Sequence, residues 1–450
     1  MPHAPGSPTT ATRAGSARRA SRPSLRGLAG AGAALVLAST LAACGGSSGP
    51  PTLNWYINPD SGGQTQLASE CTESSGGRYR IETTLLPRDA PSQREQLVRR
   101  LAAQDGSIDL MSLDPPFIPE MAQAGFLAPM PQDLAQRVRG GVVQSALEGS
   151  TWNGKLVAVP FWANTQLLWY RKSVAQAAGL DLSRPVTWDQ LVRAAQGQGK
   201  LIGAQGIRSE SLTVWLNALI ESAGGSIIAE NSTDPKKIQL GLASDAGGEA
   251  ARVMREVARS SAAGAGFGTE NEDASATGFE GADAGFQVNW PFVWPRAQGK
   301  VEEGSLDKAV LDDFGWALYP QVSADRPSAP PYGGINLGVG AFSQHAGLAY
   351  EAAECITTDE HQAYYFVSNG NPASSEAVYD DPDVLKSFPM APTIRESLDQ
   401  AAPRPQSPYY SEISGGIQQM YHPPASIAPQ ATPREAEDLI QAVLRKERLL

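Results

Sequence analysis

Residues 53–113 read LNWYINPDSGGQTQLASECTESSGGRYRIETTLLPRDAPSQREQLVRRLAAQDGSIDLMSL, and their rhythm decides the fold class. Leu53-Asn-Trp-Tyr-Ile57 is a short apolar run of strand type. Tyr79 to Leu85 alternates with period two, and Ile108 to Leu113 is apolar throughout, as a buried strand is. Between these runs lie helical patterns. The first covers Gly63 to Ser74. The second opens near Pro91-Ser92-Gln93 and sets Leu97 and Leu101 on one face, with arginines opposite. Strand, helix, strand, helix, strand at this spacing predicts right-handed crossovers and a mostly parallel sheet. In such sheets ligands bind beyond the carboxyl ends of strands. Asn58-Pro59-Asp60 and Asp114-Pro115 stand at those ends.

Upstream, residues 1–43 contain Arg13, Arg18, Arg19, Arg22 and Arg26 and no acidic residue. An apolar run from Leu28 to Ala43 follows and ends Leu41-Ala42-Ala43-Cys44. A basic start, a short apolar stretch and small residues before a break predict a secretory signal peptide over 1–43. The run is rich in Ala and Gly and shorter than the roughly 20 residues of a membrane-spanning helix. Leu-Ala-Ala-Cys resembles a bacterial lipobox, which makes Cys44 the lipidated first residue of the mature chain. The alternative is an ordinary signal with a chance cysteine. Residues 44–52, with Gly-Gly-Ser-Ser-Gly-Pro-Pro at 45–51, read as a flexible tether without an apolar face.

From Cys44 to Leu450 there are 407 residues, more than one hydrophobic core usually serves, so two lobes are expected. Without the five leader arginines, 31 basic residues face 47 acidic ones. That balance repels phosphate backbones and excludes nucleic acid as a partner. It also favours a tether over electrostatic adsorption to an anionic membrane. Beyond Cys44 only Cys71 and Cys355 remain. In an exported protein an even remainder suggests one disulfide, with two separate buried thiols as the alternative.

The middle of the chain is more helical. Thr187-Trp188-Asp189-Gln190 has capping-box spacing ahead of Leu191 and Ala194. Glycine-rich stretches at 241–248 and 264–268 read as turns or mobile connections. Strands are expected at Ala284 to Trp290, Phe314 to Leu318 and Ile335 to Phe342, the last opened by Gly333-Gly334. Asn153-Gly154 is a hairpin turn. The final helix is expected to start with Thr432 as N-cap, Pro433 in the first turn and Glu435 three residues after the cap. Its apolar face holds Ala436, Leu439, Ile440, Val443 and Leu444.

Most catalytic signatures are missing. His345, His361 and His422 do not fall at metal-ligand spacing, and the chain has no His-Glu-x-x-His, Cys-x-x-Cys or Gly-x-Ser-x-Gly. Gly197-Gln-Gly-Lys-Leu201 lacks the glycine spacing and hydroxyl of a P-loop, and residues 333–340 lack the dinucleotide fingerprint. A triad hydrolase, a metalloprotease and an NTPase are therefore unsupported, and no cofactor is expected.

Several stretches together resemble family 1 extracellular solute-binding proteins, the sugar receptors of ABC importers. They are Thr187-Trp-Asp-Gln-Leu191, Phe279-Glu280 followed by Val288-Asn-Trp-Pro291, and Gly333-Gly-Ile-Asn336. The closer resemblance is to LpqY-type trehalose-binding lipoproteins, through Met111-Ser-Leu-Asp114, Asn164-Thr-Gln-Leu-Leu-Trp-Tyr170, Ser222-Ala-Gly-Gly-Ser226, Val288-Asn-Trp-Pro-Phe-Val293 and Arg404-Pro405. The resemblance implies a two-lobed α/β fold like that of periplasmic binding proteins. Each lobe is a sheet flanked by helices, and the two close over a sugar about crossover strands. Lobe one is expected over 53–165 and 318–368, lobe two over 166–317 and 369–450. Cys71 and Cys355 match cysteines of the resembled proteins, which favours the disulfide. The implied protein is a monomeric receptor, anchored through Cys44 to the outer face of the cytoplasmic membrane, that hands trehalose to ABC permease subunits.

Sugar recognition needs planar partners that hold two neighbouring hydroxyls and an aromatic surface for the C–H face of the ring. On the resemblance, Asp114 accepts two hydroxyl hydrogen bonds, its alternative being an N-cap for the segment after Pro116. Asn164, Glu272 and Arg404 match sugar-contacting residues, and Trp290 is the stacking candidate. The alternatives are a turn asparagine, a solvated charge run, a surface arginine and a core tryptophan. Asp60, Asn58 and Gly334 follow. The loop around Asp60 departs from the resembled proteins by about one residue in length. The competing enzyme is a glycoside hydrolase with Asp114 and Glu272 as its carboxylate pair. The competing ligands are an oligosaccharide, a glycerophosphodiester, or a polyamine paired with Asp60, Asp114 and Glu272. An arginine at 404 opposes the polyamine.

Overall fold

The computed structural model describes residues 49–450; the leader and the lipidation candidate Cys44 lie outside the described residues. The opening pattern folds as its rhythm dictates. Thr52–Ile57 is a strand with Leu53 and Trp55 fully buried, and it pairs in parallel with Arg80–Leu85 and with Leu110–Leu113. The helix Gly63–Ser74 joins the first two of these strands. The helix Ala90–Ala102 leads to the third, capped by Asp89, whose Oδ1 accepts from the Ser92 N–H at 2.9 Å. Leu97 and Leu101, one turn apart, both point inward with no exposed surface.

The sheet is mixed rather than mostly parallel. Pro331–Val339 runs antiparallel to Leu110–Leu113 and to Val159–Thr165, and parallel to the short strand Ala402–Pro403. These antiparallel partners come from far along the chain, where local periodicity carries no information about direction. The strand expected to open at Gly333-Gly334 begins earlier, at Pro331, and holds both glycines inside it.

A second sheet runs in the order Phe314–Ala317, Leu167–Arg171, Ala284–Asn289, Leu201–Gly203. Helices Trp188–Gln198, Glu210–Ser222 and Asp245–Arg259 pack on it, around a core that includes Trp188, Trp215 and Tyr319. The Thr187–Gln190 capping box forms in both directions. The glycine-rich stretch at 241–248 is a turn that runs into the helix Asp245–Arg259, and the one at 264–268 is a turn leading into a short 3-10 segment. Asn153 and Gly154, with φ of 47° and 73°, turn the hairpin between Thr151–Trp152 and Lys155–Leu156. The last helix, Thr432–Leu444, buries Ala436, Leu439, Ile440 and Leu444 of its expected apolar stripe and leaves Val443 half-buried, and Thr432 is not its cap. Its hydroxyl accepts instead from the Ala428 N–H, four residues back, at 3.0 Å.

The chain passes between the sheets at three places. Gln166 alone separates strand Val159–Thr165 of the first sheet from Leu167–Arg171 of the second. Residues 318–330 return to the first sheet. Residues 404–409 then lead from Ala402–Pro403 to the helix Tyr410–Tyr421, which packs on Glu210–Ser222. Gln166 is buried; its amide nitrogen donates to Gln205 Oε1 at 3.0 Å and Gln205 donates to the Val288 carbonyl at 2.9 Å, while Gln166 Oε1 has no protein partner. Cys71 and Cys355 form a disulfide, Cα atoms 5.9 Å apart, between the helices Gly63–Ser74 and Ala346–Ile356. Among the described residues no helix is long and apolar enough to cross a membrane.

Candidate ligand-binding site

A cavity of about 900 Å³ opens where the carboxyl ends of the first three strands face the second sheet. All eight residues singled out from the sequence line it: Asn58, Asp60, Asp114, Asn164, Glu272, Trp290, Gly334 and Arg404. Strand ends explain much of this convergence. Asn58 and Asp60 follow Thr52–Ile57, Asp114 follows Leu110–Leu113, and Trp290 follows Ala284–Asn289 of the facing sheet.

Arg404 is the cation at the centre of the arrangement. Its side chain keeps only 5% of its exposure, and it reaches two carboxylates that come from opposite sides. Nη2 donates to Asp114 Oδ1 at 2.5 Å, and Nη1 to Glu210 Oε1 at 2.7 Å. Burial works against the Arg404 charge, but Asp114, Tyr410 and Glu210 outweigh it and hold the guanidinium protonated. Burial pushes the Asp114 carboxyl up, with Arg404 drawing it back down. Asp114 precedes the short 3-10 turn Pro115–Phe117 but makes no side-chain cap, so its carboxylate is committed to Arg404 and the cavity.

The acids around the cleft sit at helix beginnings, where the positive end of the dipole and free N–H groups stabilise them. Asp60 Oδ1 accepts from Gly62 N–H at 2.9 Å and Oδ2 from Gln64 N–H at 2.8 Å, and Tyr365 donates to Oδ2 at 3.2 Å. Much of its hydrogen-bonding capacity is spent on its own loop. Glu272 opens the helix Glu272–Phe279, and Glu210 opens Glu210–Ser222. Asn164 turns its Oδ1 to the next residue's N–H at 3.0 Å. Asn58 Oδ1 is buried and has no protein partner.

Trp290 lies across the backbone of Gly333. A Cβ on that glycine would stand 3.0 Å from the ring's Cη2, so the missing side chain is what admits the indole. At Gly334, φ is +120°, and an added Cβ would meet the Trp162 carbonyl at 2.2 Å. Only glycine fits there.

Glu210 escaped the sequence reading. So did Gln418 from the helix Tyr410–Tyr421, and Asn369 and Asn371 from the first-sheet side. Ser209-Glu210-Ser211 reads as an ordinary helix start, and an acid in a first turn carries no local sign of a distant arginine. His361, Cys71 and Cys355 cluster closely, but both sulfurs are consumed by the disulfide and the group is no metal site.

Comparison with known proteins adds the family. The model for bacterial extracellular solute-binding proteins matches residues 81–363. A probable ABC transporter-binding protein of Deinococcus radiodurans is 23% identical over 344 residues, 72% of this chain and 76% of that one. A mannitol-binding protein of Pseudomonas aeruginosa is 32% identical over 98 residues, 22% of each chain. Among solved structures, maltose-bound MalE3 of T. maritima superposes with a TM-score of 0.74 at 23% identity, over 88% of this chain and all of that one.

Proposed function

Because this chain belongs to the bacterial extracellular solute-binding proteins, which serve ABC transporters and are not enzymes, we propose that it captures a neutral sugar, the disaccharide trehalose, and delivers it to a membrane permease. The observation that carries the proposal is the cavity between the two sheets. There Asp114 and Asn164 on one side and Glu272 and Trp290 on the other converge, with Arg404 on the third crossing between them. Carboxylates, amides and a guanidinium hold neighbouring hydroxyls, and the indole offers a face for ring C–H groups.

In this reading the first lobe carries the six-stranded sheet and the second the four-stranded one, and the three crossings are the hinge. Contacts drawn from both lobes are complete only in the closed form, so sugar shifts the population toward closure and no bond is made or broken. The export signal over 1–43 and the lipid on Cys44 complete the proposal. The mannitol-binding and maltose-bound relatives support a sugar or polyol as the ligand class. The polyamine reading is disfavoured because Asp114, one of the acids a polyamine would pair with, is already bound to Arg404.

The test is a melting-temperature screen of the chain from residue 50 onward against a sugar panel. A ligand that binds only the native state stabilises it by about 2.7 kcal/mol at a hundredfold excess over its Kd. A shift with trehalose, lost in Trp290→Ala, supports the proposal. A shift with another sugar and none with trehalose overturns the substrate. Release of glucose from trehalose would overturn the receptor itself.

A further inference from the structure

We propose that Glu210 sets the charge specificity of the cleft: it turns Arg404 from an anion receptor into a donor for neutral hydroxyls. The inference rests on the sugar-receptor reading of the same site and names which sugars the site refuses.

An isolated guanidinium at the base of a cleft is built for anions, since its fork matches a carboxylate or a phosphate. Here the helix starts at Gly63, Ala90, Glu210 and Glu272 also open onto the cleft. Their N–H groups would add to the attraction. The structure cancels it at its centre. Both Nη atoms of Arg404 are already bound to carboxylates, one from each side, so two acids face one cation.

Of these two acids, Glu210 is the fixed one. Tyr410 donates its hydroxyl to Oε1, and Ser414 Oγ donates to Oε2 at 2.8 Å. Ser414 is itself held by Thr213 Oγ1 at 2.8 Å and by Gln418 Nε2 at 3.0 Å. Both Glu210 oxygens are therefore occupied from behind, and the carboxylate cannot swing away to release Arg404. The other acids differ. Asp60 spends both its oxygens and Asp89 one of its own on their helix starts, and Asp114 faces the cavity as a candidate ligand contact.

A sugar phosphate or a uronate entering this cleft meets a lining of six acids against two arginines, Arg88 and Arg404, and the fork of Arg404 is already taken. A neutral sugar instead uses the remaining N–H groups of Arg404 and the cavity-facing oxygen of Asp114. Specificity by an unfavourable charge against the wrong ligand is a common device. Glu210 is thus a positioning residue, acting through Arg404.

The experiment compares wild type, Glu210→Gln and Tyr410→Phe by thermal shift and calorimetry. The probes are trehalose, sodium glucuronate and inorganic phosphate, at constant ionic strength with chloride as the reference salt. Wild type is expected to gain nothing from glucuronate or phosphate. Glu210→Gln keeps the shape and an acceptor oxygen; it is expected to bind both anions at least about tenfold more tightly than wild type and trehalose about tenfold more weakly. Tyr410→Phe keeps the charge and loses one anchor, so it weakens trehalose without gaining anions. Anion binding by wild type, or by Tyr410→Phe, overturns the proposal, as does a Glu210→Gln protein that still rejects both anions. A trehalose arm that fails in wild type while Glu210→Gln gains anions sinks the trehalose reading and leaves the charge assignment standing.

Discussion

The buried side chain of Asn289 ties together two elements of the cleft: its Nδ2 donates to the backbone carbonyl of Glu272 at 3.0 Å, and its Oδ1 accepts the Trp290 N–H at 2.9 Å. Asn289 has no exposed surface and is not among the cavity-lining residues, yet it ties the start of the helix Glu272–Phe279, itself capped by Asn271, to the turn after the strand Ala284–Asn289. Gln287 Oε1 takes a second Nδ2 hydrogen bond at 3.2 Å.

Asn289→Ala removes all three bonds at once. Leaving buried partners unsatisfied costs about 1–3 kcal/mol, so the melting temperature falls. The sugar affinity falls with it, by about tenfold or more, because the Glu272 and Trp290 contacts lose their common support. Calorimetric titration of the folded variant checks this. Unchanged affinity in a destabilised protein would show that Asn289 serves the fold alone.

Gly334→Ala is expected to be among the most damaging single-methyl changes in the chain. The added carbon meets the Trp162 carbonyl across the pairing of Pro331–Val339 with Val159–Thr165, at a backbone angle that L residues avoid. Strain of this kind costs on the order of 1–3 kcal/mol before the clash is counted. Chemical denaturation of the variant against wild type measures it. A loss below about 0.5 kcal/mol, the range of an ordinary surface substitution, would mean that the two strands separate freely here.

Local pattern made the opening strands and helices of the first lobe legible because they are consecutive: Leu53, Trp55, Leu97 and Leu101 report their burial through spacing alone. The same logic placed Asn58, Asp114 and Trp290 at strand ends, and prolines on both sides of Arg404 marked it as non-helical. What stayed hidden depends on partners remote in sequence. The direction of Pro331–Val339 is set by pairing with Leu110–Leu113. The importance of Glu210 comes from an arginine 194 residues away. Thr432 misled because its hydroxyl had two possible donors, and the Ala428 N–H took it.

The disulfide spans 284 residues of chain and joins two helices of the first-sheet side, away from the cavity-lining residues. Reduction, or Cys71→Ser with Cys355→Ser, is expected to lower unfolding free energy by about 3–5 kcal/mol, through the larger entropy of the open unfolded chain. Sugar affinity at room temperature is expected to stay within about twofold, by the distance of the bond from the cleft. Parallel denaturant melts and titrations test both halves. A large affinity loss with little change in stability would assign the bond a role in closure instead.

Glu221, near the end of the helix Glu210–Ser222, is pushed up from 4.5 to about 7 by burial. Its folded value lies above its unfolded one, so the native state holds a proton that the unfolded chain has released between those two values. Stability therefore falls as pH rises through that window; below it both states are protonated and the penalty vanishes. Above pH 7 the full penalty applies, about 2–3 kcal/mol for a shift of this size on a largely buried group. Glu221→Gln keeps the shape without the charge. It should match wild type near pH 4 and exceed it by a margin that widens to pH 8, in denaturant melts run at constant ionic strength. A margin that stays flat from pH 5 to pH 8 would show that the carboxylate reaches solvent and ionises without cost, and that burial of this helix end is not what limits the stability of the second lobe at neutral pH.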